Sequence, residues 1–292
     1  MNVTIDLLNI VASFIVKPRM KLLDWIPEEK LDWYYLSKNS NAIHMLEKYP
    51  DKINWTNLSS NPSAIYLLEK YPDKIDWMYL SGNPNAIHIL EKNIDMIDWW
   101  DLSENPNAIH LLEKYPEKIN WTHLSSNPNA MHILENNLDK ISWSFLSRNS
   151  NLLQAIHLLE IDLQHDPDKI CWMWLSRNPN AIQMLTANPD KINWWFLSKN
   201  PQALPLLEKY PEKIDWQFLS ENPNAIHLLE KYPEKISWDC LSMNSNAIHM
   251  LEKYPDKIFW KYLSFNPSIF EIDTKQTNLE LTKRAKNIDF YK

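Results

Sequence analysis

The sequence predicts an all-α fold, an αα-hairpin solenoid (superhelix) built from eleven 22-residue repeats. Three observations carry that reading. Tryptophans at 33, 55, 77, 99, 121 and 143 recur every 22 residues, the next follows after 29, and Trp172, Trp194, Trp216, Trp238 and Trp260 resume the period. Every copy has Leu three residues after Trp, Ser at four and Asn at six, a signature W-x-x-L-S-x-N. Between these fixed points lie helix caps and helical hydrophobic spacing, with no strand-like alternation.

The first helix of each unit starts at Trp. In most copies the residue before it is Asn, Asp or Ser, as at Asp32, Asn54 and Ser142. These types accept a hydrogen bond from an orphan N–H of the first turn. The Asn six residues after Trp is followed by Pro in eight copies and by Ser at Ser40, Ser150 and Ser245, a cap followed by a first-turn residue of a second helix. Because Asn tolerates the left-handed backbone region, it is expected to end the first helix while starting the second. That accounts for a helical chain with a single glycine, Gly82.

The second helix reads, in the third repeat, Asn85-Ala86-Ile87-His88-Ile89-Leu90-Glu91-Lys92, with one apolar face. The Tyr-Pro-Asp-Lys-Ile run that closes most repeats ends it, since the residue before Pro is driven out of the helical region. Helices this short do not stand alone in water, so stability has to come from stacking. The Trp, Leu, Ala and Ile columns are expected to be buried and to provide it.

Leu-Ser-x-Asn at this period is also the pattern of leucine-rich repeats, in which asparagines form a ladder. Those need an apolar strand slot. The slot two before Leu holds Tyr34, Thr56, Ser144, Gln217, Asp239 and Lys261 among others, which disfavours a buried strand.

The sixth repeat carries seven extra residues, about two helical turns, and a second helix about 10 Å longer is expected there. Thr186-Ala187-Asn188 and Pro205 interrupt repeats seven and eight, and Pro205 is expected to cost a hydrogen bond and bend the solenoid. The domain organisation read from this is an N-terminal capping segment over 1–29, with apolar Leu7 to Val16 as a capping helix, the repeats over 30–270, and a polar tail over 271–292.

The consensus W-x-x-L-S-x-N-P-N-A-I-H-L-L-E-K-Y-P-D-K-I resembles a short tandem repeat encoded in many copies by giant DNA viruses of amoebae. The resemblance covers about Lys30 to Phe270, and Lys21-Leu22-Leu23-Asp24-Trp25-Ile26-Pro27 is similar to the lead-in of those proteins. It implies a viral protein in host cytoplasm or in a virion. It transfers no activity and no site residue.

Composition narrows the function classes. One glycine leaves nothing from which to build phosphate-cradling loops. A net charge of −7 speaks against a general nucleic-acid binder. Cys171 and Cys240 make neither a disulfide framework nor a metal cluster, which suits a reducing compartment. Leu7 to Val16 is too short to span a bilayer, so no membrane association is expected. The repeated Ser is an element of the fold, and eleven identical nucleophiles without a unique base match no catalytic arrangement. No catalytic residue, cofactor or metal site is therefore expected.

Slots that never change between copies are structural, which leaves recognition to the slots that do. These lie one, two and five residues after Trp. The second holds Tyr35, Tyr79, Phe145, Trp174, Phe196, Phe218 and Tyr262, and Trp100 and Trp195 occupy the first. A row of aromatics on stacked helices suits a groove for a protein partner, with the same rings half-buried between repeats as the bland alternative. Single-stranded nucleic acid, one base per repeat, is the alternative ligand, opposed by the few basic residues in the fifth slot, Lys38, Arg148, Arg177 and Lys199. A structural role in a virus particle is the third. His44, His88, His110, His132, His157, His227 and His249 form another row, but stacked helices hold equivalent residues too far apart for one metal ion.

Overall fold

A computed structural model describes residues 18–151 and 169–289. It is an all-α repeat solenoid in which the typical unit contributes a first helix starting at Trp, a second helix starting ten residues later, and a 3₁₀ turn; the last repeat has the 3₁₀ turn Pro267–Ile269 in place of a second helix. In the second repeat these are Trp55–Ser59, Ile65–Lys70 and Pro72–Lys74. The first helix begins where the caps predict: the side chains of Asp32, Asn54, Asp76, Asp98, Asn120, Asn193 and Asp215 accept from N–H groups of the first turn.

The Asn six residues after Trp behaves differently from expectation. Among the described residues none has a positive φ. Asn105 ends its helix at φ −70°, ψ 116°, and Asn178, Asn200 and Asn244 do the same. The chain leaves the first helix through extended backbone, which any residue tolerates. What the position requires is the asparagine side chain.

That side chain is buried and fully used. Its Oδ1 accepts from the N–H two residues on, and its Nδ2 donates to two carbonyls of the preceding repeat, those of the Ser and the Asn. Asn105 reaches Ser81 and Asn83 this way at 2.9 and 3.0 Å. The Ser hydroxyl is equally committed. Ser103 Oγ donates to the Trp99 carbonyl at 2.6 Å and accepts from the N–H of Asn120 in the following repeat at 3.0 Å. The ladder associated with leucine-rich repeats is thus present, carried on helices and not strands.

The ladder has no end. Asn39, in the first repeat, donates to the carbonyls of Ser264 and Asn266 in the last, and the N–H of Asp32 donates to Ser264 Oγ at 2.8 Å. Asn178 likewise reaches Ser147 and Asn149 across the lengthened sixth repeat. Eleven units close into a ring, which requires about 33° of rotation per repeat. Flanking segments fasten the seam. Strand β1, Met20–Leu22, pairs antiparallel with β2, Phe270–Ile272, in the register Met20 to Ile272 and Leu22 to Phe270. Lys21 also pairs with Glu271 at 2.9 Å, and Lys30 lies over Trp260. Beyond β2 the chain forms a helix, Thr274–Asp289, whose Thr277 hydroxyl accepts from the N–H of Arg19.

Leu at three residues after Trp is fully buried in every repeat, as are the Ala and the Leu of the second helix in each described copy. The Trp column is only half-buried, contrary to expectation. Its rings cover the core from outside and meet the Tyr of the closing run edge to face, 5.2 to 5.4 Å apart, in six repeats. Where Asn replaces that Tyr, at Asn93, Asn137 and Asn188, its amide caps a carbonyl of the second helix. Pro205 falls in the first turn of helix Leu204–Lys209, where no N–H is required, so it introduces no bend. The Leu7 to Val16 segment and the enlarged second helix of repeat six lie outside the described residues.

Candidate functional site: the channel wall

Equivalent points on neighbouring units of a closed ring are separated in proportion to their distance from its axis. At seven of the eleven junctions the first helices of adjacent repeats pack together, and no pair of second helices among the described residues packs to that degree. First helices therefore line the hole and second helices form the rim. Within a first helix, at about 100° per residue, Leu, Ser and Trp point to the core while positions one, two and five after Trp share the opposite face. The slots that vary between copies are the wall of the channel.

Wall side chains touch around the ring. In the second slot, ring centroids of consecutive repeats lie 6.1 Å apart for Tyr35 with Tyr262, 5.6 Å for His123 with Phe145, 6.1 Å for Trp174 with Phe196 and 5.9 Å for Phe196 with Phe218. Eleven points at that spacing stand about 11 Å from the axis, so the rings leave an opening of roughly 15 Å. Trp100 and Trp195, in the first slot, are 65% and 62% exposed and lean on the second slot of the next repeat, against His123 and Phe218. Tyr79 is exposed on the wall between Asn57 and Asp101. All nine aromatic residues singled out by their slots share one surface. The half-buried alternative also holds in part, since most second-slot rings rest on their neighbours.

Sequence reasoning treated the fifth slot as a poor source of positive charge and missed its geometry. Arg148 reaches Glu104, two repeats away, at 2.6 Å, with its guanidinium 5.1 and 5.4 Å from the rings of Phe145 and Trp174. Lys199 pairs with Glu221. Lys261, in the first slot, lies 5.2 Å over Tyr35 and 5.9 Å over Tyr262 across the seam. Arg177 makes no ion pair among the described residues. The signal was available: Lys199 and Glu221 hold the same slot in consecutive repeats, and Arg148 and Glu104 the same slot two repeats apart. Wall charge is close to balanced, with Lys38, Arg148, Arg177, Lys199 and Lys261 against Asp101, Glu104, Glu221 and Asp239.

The wall is uneven in character. Repeats six to nine hold Phe145, Trp174, Phe196 and Phe218 with the three cations Arg148, Arg177 and Lys199. A cleft of about 340 Å³ opens at the junction of repeats six and seven, lined by Arg148, Ser150, Trp174, Arg177, Asn178 and Pro179. In repeat four, burial and the neighbouring Asp98 charge raise the carboxyl of Asp101 above its usual range, with His123 opposing. His123 Nδ1 is buried without a hydrogen bond, 3.6 Å from Glu104 Oε2. Cys240, also in the second slot, is a buried free thiol whose pKa is raised by burial.

The histidine row lies on the rim. His88, His110, His132, His227 and His249 each meet a Glu of the preceding repeat, Nε2 to Oε1 at 2.8 to 3.3 Å. Among the described residues no group of His, Cys, Asp or Glu is placed to hold a metal ion. His44 departs from the row: its Nδ1 accepts from the N–H of Met20 at 3.4 Å, which puts it in the clasp. His157 lies outside the described residues. No described helix is long and apolar enough to cross a membrane.

Comparison with known proteins gives no relative from which to transfer a role: no family model, no curated protein and no solved structure matches the chain.

Proposed function

We propose that the protein is a non-enzymatic binding ring that takes a segment of a partner protein into its channel and reads it through the variable positions of the first helices. One observation carries this reading. The residues that never vary are consumed by the ladder and the core, and those that vary converge on a single concave wall bearing half-exposed aromatic side chains. Aromatic anchors in a concave site are what binding hot spots are made of.

The size of the opening restricts the occupant. An α-helix with its side chains is about 10–12 Å across and passes, as does an extended chain. A nucleic-acid duplex, roughly 20 Å wide, does not. Single-stranded nucleic acid also fits by size, and Arg148 and Arg177 beside Trp174 supply a basis for that second reading. The four wall carboxylates and the net charge of −7 favour protein. The resemblance to repeats of amoebal giant viruses supports reading such a ring as an adaptor or a structural component, in host cytoplasm or in a virion.

A display library of dodecapeptides panned against the ring tests the proposal. Peptides should be enriched on the native protein and lost on a Trp174→Ala, Phe196→Ala, Phe218→Ala variant, but retained on a His88→Ala, His110→Ala, His132→Ala variant of the rim. Enrichment that survives the wall variant and disappears with the rim variant refutes it.

A further inference from the structure

The cleft between repeats six and seven points to the chemistry of the occupant. Arg148 shows what this part of the wall recognises. Its guanidinium is held beside two aromatic rings and takes a carboxylate, that of Glu104, which arrives from two repeats away and bridges a stretch of the channel surface. Guanidinium and carboxylate match in geometry and charge, and a flanking aromatic face excludes water from the pair. Arg177 lines the same cleft, three residues after Trp174 on one helix, and meets no carboxylate among the described residues.

The remaining cation of the sector, Lys199, is neutralised by Glu221. Among the described residues Arg177 is therefore the cation of this sector without a carboxylate. It borders a cleft of about 340 Å³, within the range of small-ligand sites. Asn178 adds nothing to the polarity of the cleft from its amide, which is spent on the ladder.

We propose that this cleft is a carboxylate-recognition site, in which Arg177 takes an Asp or Glu side chain of the polypeptide in the channel, as Arg148 takes Glu104. The inference rests on the channel reading and specifies its partner: a segment with acidic residues beside apolar or aromatic ones. Glu104 then has a second role, limiting the site to one free guanidinium. Its removal frees Arg148 and doubles the positive charge facing the ligand.

The test uses the intact ring and four probes: a fluorescein-labelled dodecapeptide of alternating Glu and Phe, its Gln-for-Glu counterpart, fluorescein-labelled dT12 and inorganic phosphate as competitor. The Glu peptide should bind about tenfold more tightly than the Gln peptide, as befits one charge-assisted pair. Arg177→Gln, an exposed substitution, should erase that difference, and Glu104→Gln should enlarge it. Equal binding of the two peptides, or a preference that survives Arg177→Gln, overturns the carboxylate assignment. Tighter binding of dT12 than of the Glu peptide, or displacement of the peptide by millimolar phosphate, overturns it in favour of a phosphate ligand.

The two readings fail separately. If both peptides bind equally but are lost with the wall variant, the channel stands and the carboxylate site falls. If neither depends on the wall, both fall.

Discussion

The side-chain amide of Asn39 donates to the backbone carbonyl of Asn266, 227 residues later, at 3.0 Å. The bond repeats the one that Asn61 makes to Asn39 at 3.2 Å and Asn83 to Asn61 at 3.1 Å. The seam of the ring is thus built like every other junction.

Removing one rung should cost the same wherever it is. Asn127→Ala leaves the Ser103 carbonyl and the Asn129 N–H without their partner and takes one of two donors from the Asn105 carbonyl, which keeps the Ala108 N–H. Buried orphaned groups cost about 1–3 kcal/mol each, less whatever water recovers, so a loss of about 2–4 kcal/mol is expected from the urea midpoint. Asn39→Ala should lose a similar amount. In an open chain the Asn39 amide has nothing to donate to, and the substitution would cost only its bond from the Asn41 N–H, a smaller loss than at Asn127.

Burial ranks the core columns differently from size. Leu124 is fully buried, whereas Trp121 is half-exposed with Lys140 over its ring. Leu124→Ala is expected to destabilise by about 3–5 kcal/mol and Trp121→Ala by about 2–3 kcal/mol. Chemical denaturation of both variants checks the order; a larger loss at Trp121 would put the Trp column in the core.

Acid should loosen the clasp. His44 is held below the usual histidine range, chiefly by burial and then by the Arg19 charge; Glu47 and Glu280 oppose this and Lys48 adds to it. A histidine with a depressed folded pKa favours the neutral form in the native state. The unfolded chain binds the proton first, so stability falls as pH drops below about 6.5. Protonation also destroys the acceptor for the Met20 N–H. The drop in thermal midpoint between pH 7.5 and 5.5 should be smaller in His44→Gln than in the native protein; an equal drop would assign it to other groups.

An engineered disulfide should lock the seam. The Asp273 N–H donates to the Arg19 carbonyl and the Leu23 N–H to the Ile269 carbonyl, which makes Met20 with Ile272 a non-hydrogen-bonded pair. Such pairs hold Cα atoms about 4.5 Å apart, within disulfide range. Met20→Cys with Ile272→Cys should oxidise within the monomer and raise the thermal midpoint, as expected for a loop this long. Oxidation only between molecules would indicate that the strands pair in trans.

Much of the unit was legible from its residues. Caps at Asp32 or Asn54, the apolar face from Ala86 to Leu90 and the wall position of Phe196 and Phe218 all follow from helical spacing. Closure was not, because it depends on a small rotation per repeat summed eleven times, which no single residue encodes. One sign of it was present: Asn39 in the first repeat and Ser264 in the last keep ladder residues whose partners in a further repeat an open solenoid would lack. The left-handed Asn was misread because capping and ladder bonding demand the same residue type. Pro205 was misread by three residues of register, since the second helix starts at Leu204 and not at Pro201, where the Asn200 cap puts it.

The ring is tested most directly by a distance across the seam. Spin labels at Lys38 and Phe265, in a background with Cys171→Ser and Cys240→Ala, occupy the fifth slot of the first and last repeats. The distance distribution should coincide with that of labels at Lys38 and Ser60, which are neighbours along the chain. A 38-to-265 distance far longer than the 38-to-60 reference would show an open solenoid and contradict the closed channel.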